Sequence, residues 1–310
     1  METLRSNRRV LVVALVLGLA LAVAGCAPDP EEAEAGQLTV TVSIVPQKYF
    51  VERVGGDHVA VNVMVLPGNN PATYEPKPEQ LQALGESEAY FSIGVPFENA
   101  WLARITEANT DMLIVDTIAD VERLPMTEPH HDGGDAQGEE ADHAAHQGPP
   151  DPHVWLSPEL VKVQSRAIYE ALVELDPQRE DEYRANLDAF IADIDALEAD
   201  IQAALAELET NAFIVFHPAW GYFARDFGLE QIPVEVGGQE PSARELANLI
   251  EFAKAEQIQI VFAQPEFSTE DAETIAREIG GDVVLVSPLA ADWMANMRQV
   301  AETFADALGD

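Results

Sequence analysis

Two histidines are candidates for metal ligation, because each lies beside a proline in an otherwise apolar stretch of sequence. His153 follows Asp151-Pro152 and precedes Val-Trp, and His217 follows Phe216 and precedes Pro-Ala-Trp. Neutral imidazole is a good ligand for zinc and other borderline metals. A lone histidine in such a setting is most often a buried core residue. Two of them near predicted strand ends favour a shared metal site in a cleft.

A second group of histidines lies in an acidic segment, residues 128–151. The segment is rich in Gly, Pro, Asp and Glu and has no apolar face, which predicts a loop. Its histidines are His130, His131, His143 and His146. One interpretation is a polar linker and nothing more. The other is an auxiliary loop that binds metal weakly, because imidazoles and carboxylates together suit zinc. His58, in a turn after Gly55-Gly56, is predicted to be a surface residue.

Patterns for other chemistry are absent from the sequence. No Ser-His-Asp or Cys-His spacing suggests a nucleophile with its base. No glycine-rich phosphate loop and no His-Glu-x-x-His pattern occurs. The 55 acidic against 17 basic residues give a net charge of -38, which argues against a nucleic-acid partner. We therefore expect a binding protein and not an enzyme.

The N-terminus resembles an export signal. Arg5, Arg8 and Arg9 precede an apolar run at residues 10–24, and Gly25-Cys26 follow. A basic start, about 15 apolar residues and a small-residue stop are typical of a secretory signal. Residues 1–26 are predicted to be a lipoprotein signal that ends at a lipidated Cys26, with residues 27–37 as a tether; an uncleaved anchor is the alternative. Either places the protein outside the cytoplasm, at the membrane.

The remaining chain alternates predicted strands with predicted helices, which indicates parallel sheets flanked by helices. Predicted strands cover residues 38–45, 59–65, 89–94, 112–116, 213–216, 232–236, 258–263 and 283–286. Between the two sets, an apolar stripe of three-, four- and seven-residue spacings predicts one long helix. We expect an N-terminal α/β lobe (38–175), a rigid linker helix (176–209, about 32 residues) and a C-terminal α/β lobe (210–310).

Ligands of open parallel sheets bind where the strands end. Three glutamates lie near the ends of predicted strands of the second lobe and are candidates for further metal ligands: Glu235, Glu240 and Glu266. The alternative role of Glu240 and Glu266 is to place negative charge at a helix N-terminus.

An ordered set of motifs resembles one family. The motifs are Gly68-Asn-Asn-Pro-Ala-Thr-Tyr-Glu-Pro-Lys-Pro78, the histidine-rich acidic loop, Asp151-Pro-His-Val-Trp-Leu-Ser-Pro158 and His217-Pro-Ala-Trp-Gly-Tyr222. With the lipidation motif, they resemble the zinc/manganese substrate-binding lipoproteins of ABC transporters, from Leu38 to the end of the chain. The resemblance implies two α/β lobes, a metal in the cleft between them, and delivery to a membrane permease and its ATPase.

Two positions depart from the family pattern. Members usually have a first histidine where this chain has Ala72, and often an aspartate where it has Ser287. The resemblance therefore assigns His153 and His217 as ligands, and leaves water, Glu235, Glu240 or Glu266 for the remaining positions. Tyr74 and Trp220 are expected to wall the cleft. Imidazole ligands favour Zn²⁺ over Mn²⁺.

Two other function classes fit parts of this sequence. A secreted zinc-dependent hydrolase would use Glu266 as a general base for zinc-bound water. A surface lipoprotein for metal buffering or adhesion would bind several ions in the histidine-rich loop. The leading hypothesis is the metal-binding subunit of an importer.

Overall fold

A computed structural model describes residues 36–126, 148–235, 241–266 and 269–309. Several predictions fall outside these ranges: the signal, Cys26, most of the tether, Glu240, and the four loop histidines His130, His131, His143 and His146. Within the described residues, no helix combines the length and the apolar composition that a membrane span requires.

The N-terminal lobe is a four-stranded parallel sheet flanked by helices. The strands are β1 Leu38–Val42, β2 Val59–Val63, β3 Ala89–Ser92 and β4 Leu113–Asp116, in the order β2-β1-β3-β4. The helices between them are α1 Val45–Gly55, α2 Pro78–Gly85 and α3 Pro96–Ala108. Helix α1 ends where the sequence predicts, because Gly56 takes a positive φ of 57° that favours glycine.

The C-terminal lobe repeats this arrangement with a second parallel sheet. Its strands are β5 Ala212–Val215, β6 Glu230–Pro233, β7 Ile260–Ala263 and β8 Asp282–Leu285, in the order β6-β5-β7-β8. Two further helices, α4 Pro158–Leu175 and α5 Glu180–Ala204, lie between the sheets in sequence. The second lobe adds α6 Gly221–Phe227, α7 Ala243–Ala255, α8 Glu270–Ile279 and α9 Trp293–Leu308. The predicted fold of two α/β lobes is confirmed.

The long helix α5 is shorter than the sequence pattern predicts. It has 25 residues and is preceded by a separate 3₁₀ turn at Pro177–Arg179. Its backbone leaves the helix after Ala204, since the amides of Glu209 and Thr210 donate to the carbonyl of Leu308 at the end of α9. The prediction of a continuous helix to residue 209 is therefore wrong. The apolar stripe is correct, because Tyr183, Leu187, Phe190, Ile194, Leu197 and Ile201 are all buried.

A continuous core joins the two lobes through helix α5. Phe50 of α1 packs edge-to-face on Trp293 of α9 at 5.2 Å and lies 6.2 Å from Phe190 of α5, measured between ring centroids. Lys162 of α4, with 8% of its side chain exposed, pairs with Asp195 and Glu198 of α5 at 2.5 and 3.2 Å. The helix is thus packed along its length and holds the lobes in a fixed relation.

Candidate metal site

The candidate site lies where the ends of both sheets meet. In each sheet the strand order reverses beside the first strand, between β1 and β3 and between β5 and β7. Loops diverge at such a switch point and leave a crevice for a ligand. A cavity of about 380 Å³ occupies this place. It is lined by Gly94 and Val95 after β3, by His217 after β5 and by Glu266 after β7.

His153 is held by a short turn that is anchored to the second lobe. The 3₁₀ turn Val154–Leu156 follows it directly. The indole N–H of Trp155 donates to the carbonyl of Pro288 at 2.7 Å, and the carbonyl of Trp155 accepts from the indole of Trp293 at 2.8 Å. Oδ1 of Asp151 accepts from both the backbone N–H and Nδ1 of His153, at 2.9 and 2.7 Å. The ring is therefore fixed in position and orientation.

His217 is held in an equivalent way by its own sheet. Its Nδ1 lies 2.6 Å from Oε2 of Glu235, and its carbonyl accepts from Nε2 of Gln264 at 2.8 Å. Glu235 reaches this position because its backbone N–H donates to the carbonyl of Phe216, which extends the pairing of β5 and β6. Glu235 is buried, and so is Gln264. Through this contact Glu235 orients the ring of His217. Its role as a metal ligand stays a prediction.

The two imidazoles face each other. Their Nε2 atoms are 3.3 Å apart, and the ring centroids are 5.2 Å apart. A carboxylate only accepts hydrogen bonds, so Asp151 and Glu235 assign the proton of each neutral ring to Nδ1. When neither Nε2 atom carries a proton, the lone pairs of both are directed into the same small space. Such an arrangement is unfavourable by itself and favourable around a shared cation.

The separation of the two nitrogens matches tetrahedral zinc. Zinc–nitrogen bonds of about 2.0–2.1 Å at an angle near 109° place two ligand nitrogens about 3.3 Å apart. The measured distance between the Nε2 atoms of His153 and His217 is 3.3 Å. Carboxylates behind metal-binding histidines are the usual second layer of such sites. The pair is therefore already in the geometry of two metal ligands.

The protonation state of His153 supports this interpretation. Burial lowers the pKa of His153, although the neighbouring carboxylate of Asp151 acts in the opposite direction. The ring is therefore neutral at pH 7 and available as a ligand, because only the neutral form has a free lone pair.

Glu266 lines the same cavity on the side of β7. Its Oε1 accepts from the hydroxyl of Ser287 at 2.5 Å, while Oε2 is buried and has no hydrogen-bond partner among the residues that the structure describes. The carboxylate of Glu266 therefore lies beside Ser287, the position at which the family resemblance implies an aspartate. Within the described ranges, no three His, Cys, Asp or Glu side chains form a group ready to hold a metal ion. The histidine pair is the centre of the site.

Two aromatic residues, Tyr74 and Trp220, were predicted to wall the cleft, but neither lines the cavity. Tyr74 packs on Phe97, and its hydroxyl donates to Gln80 at 2.7 Å. Trp220 is fully buried and packs edge-to-face on Phe223 and Phe304. Both residues belong to the hydrophobic core. Trp155 lines the cavity instead.

Comparison with known proteins identifies the family. The family described as zinc-uptake complex component A, periplasmic, matches residues 40–307. The chain belongs to this family. Zinc-binding protein AdcA of Streptococcus pyogenes is 26% identical over 286 residues, 86% of this chain and 55% of AdcA. This chain thus spans about half the length of AdcA. High-affinity zinc uptake system protein ZnuA of Bacillus subtilis is 26% identical over 262 residues, 83% of this chain and 80% of that protein.

Solved structures agree with the family assignment. A crystal structure of ZnuA is 47% identical, covers 88% of this chain and 99% of its own, and superposes with a TM-score of 0.80. A zinc-bound deletion mutant of ZnuA is 46% identical, with the same coverage of both chains and a TM-score of 0.80. Members of this family are described as components of a zinc-uptake complex and not as enzymes. The hypothesis of a secreted zinc-dependent hydrolase is therefore not favoured.

Some residues of the site in this ZnuA-family protein escaped the sequence analysis. Asp151 was part of a motif, but its contact with His153 was not predicted; the Asp-x-His spacing is the signal, since an aspartate two residues earlier reaches Nδ1. Gln264 directly follows a predicted strand, but its hydrogen bond to His217 was not predicted. Arg123 gave no signal, because it comes to the site through the fold. Arg123 lines the cavity beside Gly94.

A buried glutamate holds the cavity wall of the first lobe. Glu98, 4% exposed, accepts from the backbone N–H groups of Ile93 and Gly94 at 2.9 and 2.8 Å and from the hydroxyl of Ser43 at 2.5 Å. Burial raises the pKa of Glu98, while these hydrogen bonds lower it. The segment after β3 that lines the cavity is therefore positioned by one side chain.

Replacement of Glu98 should destabilise the protein. Glu98→Ala leaves the backbone N–H groups of buried Ile93 and half-buried Gly94 without acceptors, and we expect a loss of about 2–4 kcal/mol in the free energy of unfolding. Glu107→Ala, at an exposed position of the same helix, should change stability by less than about 0.5 kcal/mol. Urea denaturation of both variants measures these effects.

The pH dependence gives a second readout for Glu98. The ordinary pKa of a glutamate is about 4.3. A raised pKa means that the folded protein binds the proton of Glu98 more tightly than the unfolded chain does. The stability that the protonated group contributes is complete below a pH of about 4.3 and is lost as pH rises through the folded pKa. The difference between the wild type and Glu98→Ala should therefore be larger at pH 5 than at pH 8. Equal differences would contradict the raised pKa.

Proposed function

We propose that this protein is the extracytoplasmic metal-binding subunit of an ABC importer, which captures Zn²⁺ in the cavity and delivers it to a membrane permease and its ATPase. The observation that carries the proposal is the 3.3 Å separation of Nε2 of His153 and Nε2 of His217, each ring held by a carboxylate. The named activities of the ZnuA and AdcA relatives support it.

Zinc is favoured over manganese by the ligand atoms. Two imidazole nitrogens suit a borderline ion such as Zn²⁺, whereas harder ions prefer a shell of oxygen atoms. The orientation of both rings is fixed before an ion binds, so little ordering cost opposes capture. We propose Glu266 as the third ligand, because its Oε2 is buried, lacks a partner and belongs to the same cavity wall. Glu240 stays the alternative to Glu266 for this third position.

The proposed location follows from the N-terminal sequence. A signal over residues 1–26 and a lipid on Cys26 would anchor the protein at the membrane, with residues 27–37 as a tether. The zinc-binding lipoprotein AdcA of Streptococcus pneumoniae, 27% identical over 282 residues, supports this arrangement. The proposed division of the remaining chain is an N-terminal lobe to 175, a linker around helix α5 and a C-terminal lobe from 210.

The loop histidines are proposed as an auxiliary site that binds zinc weakly. The two ends of the loop border the cavity, because Met126 and Pro149 both line it and are joined by a backbone hydrogen bond of 2.8 Å. An ion held by the loop must offset the entropy of ordering its backbone, about 1–2 kcal/mol per residue. The cavity histidines bear no such cost, so the cavity should be the tight site.

Removal of either cavity histidine tests the proposal. His153→Ala or His217→Ala should lower zinc affinity at least about tenfold, or about 1.4 kcal/mol, because each variant leaves one imidazole. His58→Ala is the matched control, since its ring contacts Glu182 on the surface and not the cavity. Isothermal titration calorimetry measures all three variants. Unchanged tight-site affinity in both cavity variants would defeat the proposal.

Deletion of the loop separates the two proposed sites. The deletion should cover residues 128–147 only, because Asp151 orients His153. We expect one tight zinc site to remain and the weaker binding events to disappear. The measurement is a zinc titration of deleted and intact protein at matched pH and salt. If the tight site is lost, the loop supplies ligands in place of those missing at Ala72 and Ser287.

A further inference from the structure

The cavity is larger than a metal ion requires. Its volume of about 380 Å³ falls in the range of about 300–1,000 Å³ that is typical of small-molecule sites. A water molecule fills about 30 Å³ of liquid, and a zinc ion with one water ligand needs little more. Space therefore remains beside the histidine pair after an ion has bound.

The extra space lies partly where a ligand side chain is missing. Ala72 lines the cavity, and its methyl group stands where the family resemblance places a histidine. The backbone of this loop is fixed, because the N–H of Ala72 donates to Oδ1 of Asn70 at 2.7 Å. With His153, His217 and Glu266 as ligands, zinc has one coordination position left that no described side chain on this wall fills.

A guanidinium group borders the same cavity. Among the described residues that line it, Arg123 is the one Lys or Arg side chain. The chain passes close to it at Gly94, where φ is 78° and a Cβ would meet Nη1 of Arg123 at 3.0 Å and Ile118 at 2.9 Å. Glycine at this position thus makes room for the arginine. Within the described part of the chain, Arg123 forms no ion pair, although the protein has a net charge of -38.

These features fit an anion that accompanies the metal. A guanidinium binds carboxylates through two parallel N–H groups, whereas it repels a bare cation. Other walls of the cavity are rigid and poor in donors, since many lining residues are prolines: Pro71, Pro96, Pro149, Pro150, Pro152 and Pro288. Arg123 is an exposed residue at the edge of this wall, where its guanidinium can pair with negative charge.

We propose that the cavity takes zinc together with a small polycarboxylate. One carboxylate of this molecule completes the coordination of zinc on the Ala72 side, and another pairs with Arg123. The inference rests on the proposed function, because it assumes that His153 and His217 bind the zinc. It names the substrate as a zinc–carboxylate complex and not the bare ion.

Equilibrium dialysis with radiolabelled citrate, and with malate as a second probe, tests the proposal. We expect about one citrate or malate retained per bound zinc in the wild type, and none without zinc. Arg123→Ala should weaken this co-binding at least about tenfold, the size expected for a lost charge-assisted pair. Arg104→Ala, which removes an arginine that lies over Trp101 on another surface, is the matched control and should behave as the wild type.

A second variant tests the role of the open position. Ala72→His should restore the missing imidazole, so the variant should bind zinc tightly without retaining citrate or malate. Zinc bound to the wild type with neither acid retained would overturn this inference and leave the proposed function intact. Retention of the acids without zinc, or equal retention by Arg123→Ala, would also overturn it. No zinc bound under any condition would instead defeat the proposed function itself.

Discussion

The structure depends on one contact, the approach of the imidazoles of His153 and His217, whose Nε2 atoms lie 3.3 Å apart. Each ring is turned to this position by a carboxylate on Nδ1, Asp151 for one and Glu235 for the other. Two lone pairs directed at one point repel each other unless a cation lies between them. On the proposed function, the fold therefore holds both rings in the arrangement that a shared ion would need before the ion binds.

The fold explains how side chains that are distant in sequence reach this arrangement. Both sheets have the same strand order, so both have a switch point at the ends of their first and third strands. His217 and Glu266 follow the strands that flank the switch point of the second sheet. His153 comes instead from a turn between the lobes, which Trp155 and Trp293 fix through two hydrogen bonds. Helix α5 and the shared aromatic core keep the lobes in place, so the site is held by packed elements.

The sequence predicts the main features of this arrangement, because they depend on local patterns. Strand and helix alternation and the apolar stripe of helix α5 follow from periodicity. His217 follows a strand as the sequence predicts, whereas His153 precedes a 3₁₀ turn and not a strand. The end of α5 was wrong by five residues, since a tertiary hydrogen bond to Leu308 redirects the chain. The orienting role of Glu235, the burial of Trp220 and the place of Arg123 depend on contacts across the fold, which spacing in a sequence does not contain.

The most direct test of the account is a zinc-anomalous diffraction measurement on crystals of the zinc-loaded protein. The account predicts one strong anomalous peak about 2.0–2.1 Å from Nε2 of His153 and from Nε2 of His217, with Asp151 and Glu235 still bound to the Nδ1 atoms. The Nε2 atoms should remain about 3.3 Å apart. A strong peak elsewhere, with the two imidazoles in contact and no metal between them, would contradict the central claim.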